Sequence, residues 1–278
     1  MNTPNIRYRR TRKIQKNDDR AKLMKNSKKY SPKVTKLFNS LKRKSTKQPM
    51  PNYSDPIEAV VYAMVSESMP EAAGGRLYRR MMKHFVDLND LRVSRREEIL
   101  DVFRDSSETF EKTAASITRT LNAIFEKRNR MSLEGLAQDG KRQAYKELSE
   151  IKGITPFAVS YCFLTSLGGH AIPLNAKMLD YLRTGEMVHP NATDTEIAGF
   201  LERQIGAADA YDFYLFLRNE AEQINSVHKI KKTTAKKKTA AKKKTTTKKK
   251  TVAKKKTAVK KKAAVTKKAT AQKKTVKK

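Results

Sequence analysis

From Ser54 onward, apolar residues recur along the chain at intervals of three and four, the spacing that places them on one face of an α-helix. No stretch between turn signals alternates between apolar and polar residues with period two, so the pattern predicts an all-α domain. The clearest stripes contain, in chain order, Ile57, Val60, Val61 and Met64; Leu77, Met81 and Phe85; Ile99, Leu100 and Phe103; Ile117, Leu121 and Ile124; and Ile197, Phe200 and Leu201.

Short polar motifs predict where several of these helices begin and end. Thr193 with Glu196, and Ser94 with Glu97, have the spacing of capping boxes, in which each side chain satisfies a backbone N–H at the helix start. The pair Gly74-Gly75 predicts a break or kink in the segment before Leu77, because glycine is a poor helix former.

Residues 146–182 hold the most distinctive local pattern, which predicts a helix, a tight turn, a second helix, a short loop and a third helix. Gly153 lies in the turn and can adopt a positive φ without a Cβ clash. Thr155 is a predicted N-cap, followed by Pro156, which suits a first helical turn. Asn175 is placed to cap the third helix.

A hairpin of this kind presents backbone N–H groups at a helix N-terminus, and these can bind an anion such as a DNA phosphate without reading bases. The alternative is an ordinary pair of antiparallel helices with no ligand. The DNA-binding hypothesis assigns phosphate contacts to Lys152, Gly153, Ile154, Thr155 and Lys177.

Charge divides the chain into three regions. Residues 1–50 carry 17 basic and 2 acidic side chains, and residues 229–278 carry 24 lysines and no acid. The middle, residues 51–228, holds 21 basic and 26 acidic groups and is large enough for one domain. We expect this all-helical domain to lie between two basic arms, both mostly disordered because they contain few large apolar residues.

The C-terminal arm repeats lysine triplets separated by Thr, Ala and Val, a composition that resembles the tails of linker histones. A flexible cation of this density neutralises phosphates and releases their counterions, so double-stranded DNA is the expected partner and RNA is a second candidate. The predicted contacts from the arms are Arg9, Arg10, Lys236, Lys237, Lys238, Lys242, Lys243 and Lys244.

The N-terminal region contains one further helical pattern, with Val34, Leu37, Phe38 and Leu41 at i, i+3, i+4 and i+7. Three interpretations of this amphipathic pattern stay open. The helix can dock on the domain, it can lie on DNA, or the pattern can occur by chance in a solvated tail.

The stretch from Ile151 to Val159, followed by Leu174–Lys177, resembles the helix-hairpin-helix DNA glycosylase superfamily, and endonuclease III most of all. Upstream, residues 55–61 resemble the family's opening helix and residues 110–114 resemble a later helix start. The resemblance covers roughly residues 52–183 and implies a helical DNA-binding domain related to base excision repair.

The resemblance also shows where this chain departs from the family. A lysine that attacks the sugar and an aspartate that assists it occur in bifunctional members, and here the matching positions hold Phe157 and Asn175. A phenyl ring cannot form a Schiff base and an amide cannot act as a carboxylate does. The family's four-cysteine iron–sulfur site cannot form with Cys162 alone, so we expect no cofactor and no metal.

These features predict a sequence-independent, non-catalytic DNA-binding protein related to DNA repair or to packaging in the nucleoid. Two alternatives stay open: an active DNA glycosylase/AP lyase with a rearranged site, in which Lys152 or Asp180 replaces a missing group, and an RNA- or ribosome-associated basic protein. No apolar run has membrane-spanning length and no secretory signal is present, so we expect an intracellular protein, cytoplasmic or nucleoid-bound in bacteria and nuclear in eukaryotes.

Overall fold

The computed structural model describes residues 24–223. All regular secondary structure in that range is helical, and no strand is present there. This confirms the predicted all-α class. The helices are α1 (Ser27–Lys44), α2 (Pro56–Ser66), α3 (Glu71–His84), α4 (Leu88–Val93), α5 (Arg96–Phe103), α6 (Glu108–Arg128), α7 (Lys141–Ser149), α8 (Pro156–Thr165), α9 (Ala176–Thr184), α10 (Asp194–Gln204) and α11 (residues 210–223), with short 3-10 turns at Glu134–Ala137 and Ala207–Asp209.

Helices α2 and α8 form the centre of the domain and pack against each other. Nine of the eleven residues of α2 and eight of the ten residues of α8 are buried. Both helices are therefore apolar around most of their circumference, as expected for helices enclosed by others. None of the helices in the described range is long and apolar enough to cross a membrane.

Helix α3 runs without interruption through Gly74 and Gly75, so the predicted break at this pair is wrong. A Cβ on Gly74 would lie 2.4 Å from the Cβ of Ser66, whereas a Cβ on Gly75 would meet only the far end of Arg79 at 3.7 Å. Gly74 is thus required because α2 and α3 approach closely at that point.

Helix α1 belongs to the folded domain, so the predicted domain boundary at residue 51 is wrong and the domain begins earlier. Tyr30, Val34, Leu37 and Leu41 are buried, and α1 packs against α10. Of the three interpretations of its amphipathic pattern, docking on the domain is the one observed.

Of the two predicted capping boxes, the one that starts α10 is correct and the one predicted at Ser94 is wrong. Thr193 and Glu196 form the full capping box of α10. The box predicted for Ser94 and Glu97 does not form, because Ser94 ends α4 and its hydroxyl donates to the Asp90 carbonyl at 2.8 Å.

Several predicted contacts lie outside the described residues. They are Arg9, Arg10, Lys236, Lys237, Lys238, Lys242, Lys243 and Lys244.

Candidate functional site

The predicted hairpin is present: α7 ends at Ser149, and α8 begins at Pro156. Gly153 has a φ of 93°, a left-handed value that favours glycine. A Cβ at this position would lie 3.0 Å from both the Arg119 side chain and the Thr120 hydroxyl. Gly153 is therefore required for its conformation and for the close approach of α6 to the turn.

The N-terminus of α8 is capped as predicted, by the Thr155 hydroxyl, which accepts a hydrogen bond from the Ala158 N–H at 3.1 Å. The same hydroxyl donates to the carboxylate of Glu67 at 2.7 Å, so the Thr155 side chain is fully used within the protein. Pro156 has no N–H to offer.

Three backbone N–H groups at the hairpin remain available to an anion. The N–H groups of Lys152, Gly153 and Thr155 make no hydrogen bond within residues 24–223; Lys152 is exposed, and Gly153 and Thr155 are half-buried. Phe157 is only 1% exposed, so its N–H is out of reach of a ligand unless the helix moves.

The predicted lysines differ in their surroundings. Lys152 is exposed on the turn and has no ion pair or hydrogen bond to any described residue. Lys177 is half-buried and lies near the α11 acid Glu222. Burial raises the pKa of Glu222, and the charges of Arg218 and Lys177 act against that increase. Of the two lysines, Lys152 is therefore the one with no acidic partner among the described residues to compete with a phosphate. Ile154, the remaining predicted contact, packs against the core.

A second cation near the turn escaped the sequence analysis. Arg119 on α6 is exposed, its Cβ and Cγ lie against Gly153, and it forms no ion pair or hydrogen bond within the described range. No local motif marks Arg119, because its position beside Gly153 depends on the packing of α6 against the hairpin.

The two residues that the resemblance places at the catalytic positions are both buried. Phe157 is 1% exposed and stacks on Tyr161, with ring centroids 6.2 Å apart. Asn175 is 2% exposed; its Oδ1 accepts from the Met178 N–H at 3.0 Å, and its Nδ2 donates to the Glu67 carbonyl at 3.1 Å. Asn175 therefore caps α9 as predicted and also joins α9 to the end of α2.

A cleft of about 250 Å³, lined mainly by polar residue types, opens beside the hairpin, and the sequence analysis did not predict it. Glu67 contributes the carboxylate in this cleft. Burial raises the pKa of Glu67, while the hydrogen bond from Thr155 and the charge of Arg218 oppose that rise. The cleft is lined by Met64, Glu67, Ser68, Thr109, Lys112, Thr113, Ser116 and Thr155.

A buried arginine on α11 holds the chain segment that carries Glu67. Arg218 is fully buried and forms an ion pair with Glu71 at 2.6 Å. It also donates to the carbonyls of Ser66 and Met69, the latter at 3.0 Å. These bonds fix the turn between α2 and α3, and with it one wall of the cleft.

Other candidate chemistry is limited in the described part of the chain. Cys162 is fully buried, and burial raises the pKa of its thiol. No group of three His, Cys, Asp or Glu side chains within residues 24–223 is arranged to hold a metal ion. Asp180, proposed as a replacement acid, is exposed on α9.

No protein-family model and no curated protein sequence matches this chain. Among solved structures, it is similar to a trapped endonuclease III–DNA covalent intermediate, with a TM-score of 0.53 and 14% identity over 68% of this chain and 84% of that chain. It is also similar to the Clostridium acetobutylicum 8-oxoguanine glycosylase/lyase in complex with double-stranded DNA, with a TM-score of 0.55 and 12% identity over 72% of this chain and 71% of that one.

A third similar structure is the H. pylori 3-methyladenine DNA glycosylase MagIII bound to 1,N6-ethenoadenine, with a TM-score of 0.52 and 14% identity over 69% of this chain and 97% of that chain. At these identities the likeness concerns the fold. The chain has the all-α fold of the helix-hairpin-helix DNA glycosylases, and the endonuclease III-like domain expected from the hairpin motif is confirmed.

Proposed function

We propose that this chain is a sequence-independent DNA-binding protein built on an endonuclease III-like domain. The observation that carries the proposal is the hairpin itself. Its turn presents the unpaired N–H groups of Lys152, Gly153 and Thr155. Beside them lie two cations, the side chains of Lys152 and Arg119, that no carboxylate of the described domain neutralises. Backbone N–H groups with adjacent positive charge suit a phosphate and carry no information about base sequence.

The proposed role is binding without base-excision chemistry. Phe157 and Asn175 occupy the positions where the resemblance places a nucleophile and a carboxylate, and both side chains are used for packing and capping. A protein with this arrangement can recognise DNA geometry in a repair context or help to package DNA, and both roles rest on the same contacts.

The basic arms supply most of the affinity in this proposal. Each phosphate neutralised by a lysine releases counterions, and the logarithm of the binding constant then falls by roughly 0.9 per contact for each tenfold rise in salt. The hairpin contributes few contacts of this kind. Its role is to fix the position of the domain on the duplex.

The acidic side chain of Glu67 limits how strongly the hairpin can bind. Its carboxylate accepts a hydrogen bond from the hydroxyl of Thr155, whose N–H is one of the proposed phosphate donors. An ionised carboxylate at this distance repels a phosphate. The hairpin therefore binds the DNA phosphate backbone weakly and dissociates from it readily.

The test is a salt titration of duplex binding by the full chain and by the double variant Arg119→Gln/Lys152→Gln. We expect the salt slope to fall by about 2, because two phosphate contacts are lost. The matched control Lys83→Gln/Arg95→Gln removes the same charge from exposed positions on α3 and before α5 and leaves the slope nearly unchanged.

Equal changes in both double variants would contradict a phosphate site at the hairpin. A structured RNA that displaces the duplex at matched salt would contradict DNA as the partner.

A further inference from the structure

Helix α1 attaches to the domain through one face only. Its buried residues are Tyr30, Val34, Leu37 and Leu41, and Phe38 meets Phe213 of α11 with ring centroids 5.4 Å apart. The 18 residues of α1 include seven Lys or Arg and no acidic residue. The helix is therefore a strongly cationic element packed on a part of the chain, residues 51–228, that holds more acidic than basic groups.

The basic residues at the edges of this contact are neutralised by the domain. Lys33 pairs with Glu186 at 3.7 Å, Lys42 with Asp209 at 3.0 Å, and Lys44 with Glu220 at 3.5 Å. These ion pairs lie on either side of the buried stripe and orient the helix.

The basic residues on the opposite side of α1 have no such partners. Lys28, Lys29, Lys36 and Arg43 are exposed, and none forms an ion pair with a described residue. At 100° per residue these four positions fall within about 100° of one another, facing away from the buried stripe. We call them the α1 crest. Lys28 and Arg43 are separated by about 22 Å along the helix axis, at 1.5 Å per residue.

We infer that the α1 crest is a second surface for the phosphate backbone of double-stranded DNA, separate from the hairpin. The helix fixes the spacing of the backbone positions that carry these cations. A duplex of the same length carries roughly one negative charge per 1.7 Å. The inference rests on the proposed function for the identity of the partner. The two surfaces are on different elements, since α1 packs on α10 and α11 and the hairpin joins α7 to α8.

The experiment is site-specific photocrosslinking of the full chain to a duplex. Asn39 is exposed on the crest side, and the natural Cys162 is buried, so a benzophenone maleimide labels Asn39→Cys selectively. The control site is Val86→Cys, which is 91% exposed beside Asp87 and Asp90. We expect the probe at position 39 to crosslink to DNA and the probe at position 86 to give little product.

The crest is then neutralised with Lys28→Gln/Lys36→Gln/Arg43→Gln, which leaves Lys29 above the Tyr30 ring. This variant should lose most of the position-39 crosslink and should lower the salt slope by about 3. Absence of the crosslink in the parent chain, or an unchanged yield in the triple variant, would overturn the inference. A full chain that does not bind the duplex at all would instead overturn the proposed function.

Discussion

At the level of single residues, capping positions could be predicted from sequence and the contacts of the cleft could not. Thr155 and Asn175 satisfy N–H groups three residues ahead, so their roles depend only on local sequence. Glu67 bonds to Thr155 across 88 residues of chain, and Arg218 reaches Ser66 across 152. Such contacts depend on helix packing, which no local motif encodes.

The strained position Gly153 gives the most direct residue-level prediction. Gly153→Ala forces an alanine to a φ of 93° and places its Cβ against Arg119 and Thr120, so we expect a loss of about 1–3 kcal/mol in the free energy of unfolding. Urea denaturation of the variant and the parent protein measures this difference in the free energy of unfolding. Gly206→Ala is the control, because its φ is −67° and no atom lies within 4 Å of the new Cβ. A Gly153→Ala protein as stable as the control would contradict the described turn.

The half-buried Glu67 predicts a pH dependence of stability. Its pKa is raised in the folded state, so folding favours the protonated form, and the stabilising effect of the proton is lost as the pH rises through that raised pKa. Glu67→Gln keeps an acceptor for Thr155 and removes the charge. We therefore expect Glu67→Gln to gain stability relative to the parent protein as the pH rises from 4 to 8.

Urea unfolding of both proteins across this pH range makes the comparison. Glu126→Gln, an exposed acid on α6 that forms no ion pair with a described residue, is the control and should show no such trend. A stability difference between Glu67→Gln and the parent that does not change with pH would mean that Glu67 is not held in the cleft as described.

At the level of helices, the periodic pattern identified the elements, and the glycine pair misled because the packing of one helix against another overrode the local preference. The apolar stripes correctly indicated α2, α6 and α10. The Gly74-Gly75 pair implied a break, yet Gly74 is present because Ser66 leaves no room for a side chain. The stripe in α1 was detected, but a stripe alone does not show which surface will cover it.

The packing of α3 on α2 predicts opposite effects for adjacent glycines. Gly74→Ala should destabilise the domain by about 1–3 kcal/mol, because the new Cβ would overlap that of Ser66. Gly75→Ala should stabilise it by roughly 0.5–1 kcal/mol, because alanine is the better helix former and the site is open. Thermal unfolding of the two single variants and the parent protein measures both changes in stability. Changes of the same sign would contradict an uninterrupted α3 packed closely on α2.

At the level of the whole molecule, composition predicted a central domain between two basic arms, and the structure shows that this domain has the fold of the DNA glycosylases. Residues 51–228 hold 21 basic and 26 acidic groups, and α1 adds seven basic groups and no acid to the folded domain. Because these charges nearly balance, the proposed DNA binding depends on where the free cations lie. Lys152, Arg119 and the α1 crest are cations without carboxylate partners among the described residues.

The central claim is DNA binding without base-excision chemistry, and one measurement tests it most directly. The full chain is titrated with a short duplex that does or does not contain an abasic site, across salt, and the mixtures are treated with borohydride. We predict equal affinity for the two duplexes, a steep salt dependence and no covalent adduct. A clear preference for the abasic duplex together with a trapped adduct that Lys152→Ala abolishes would contradict the account and identify an active lyase.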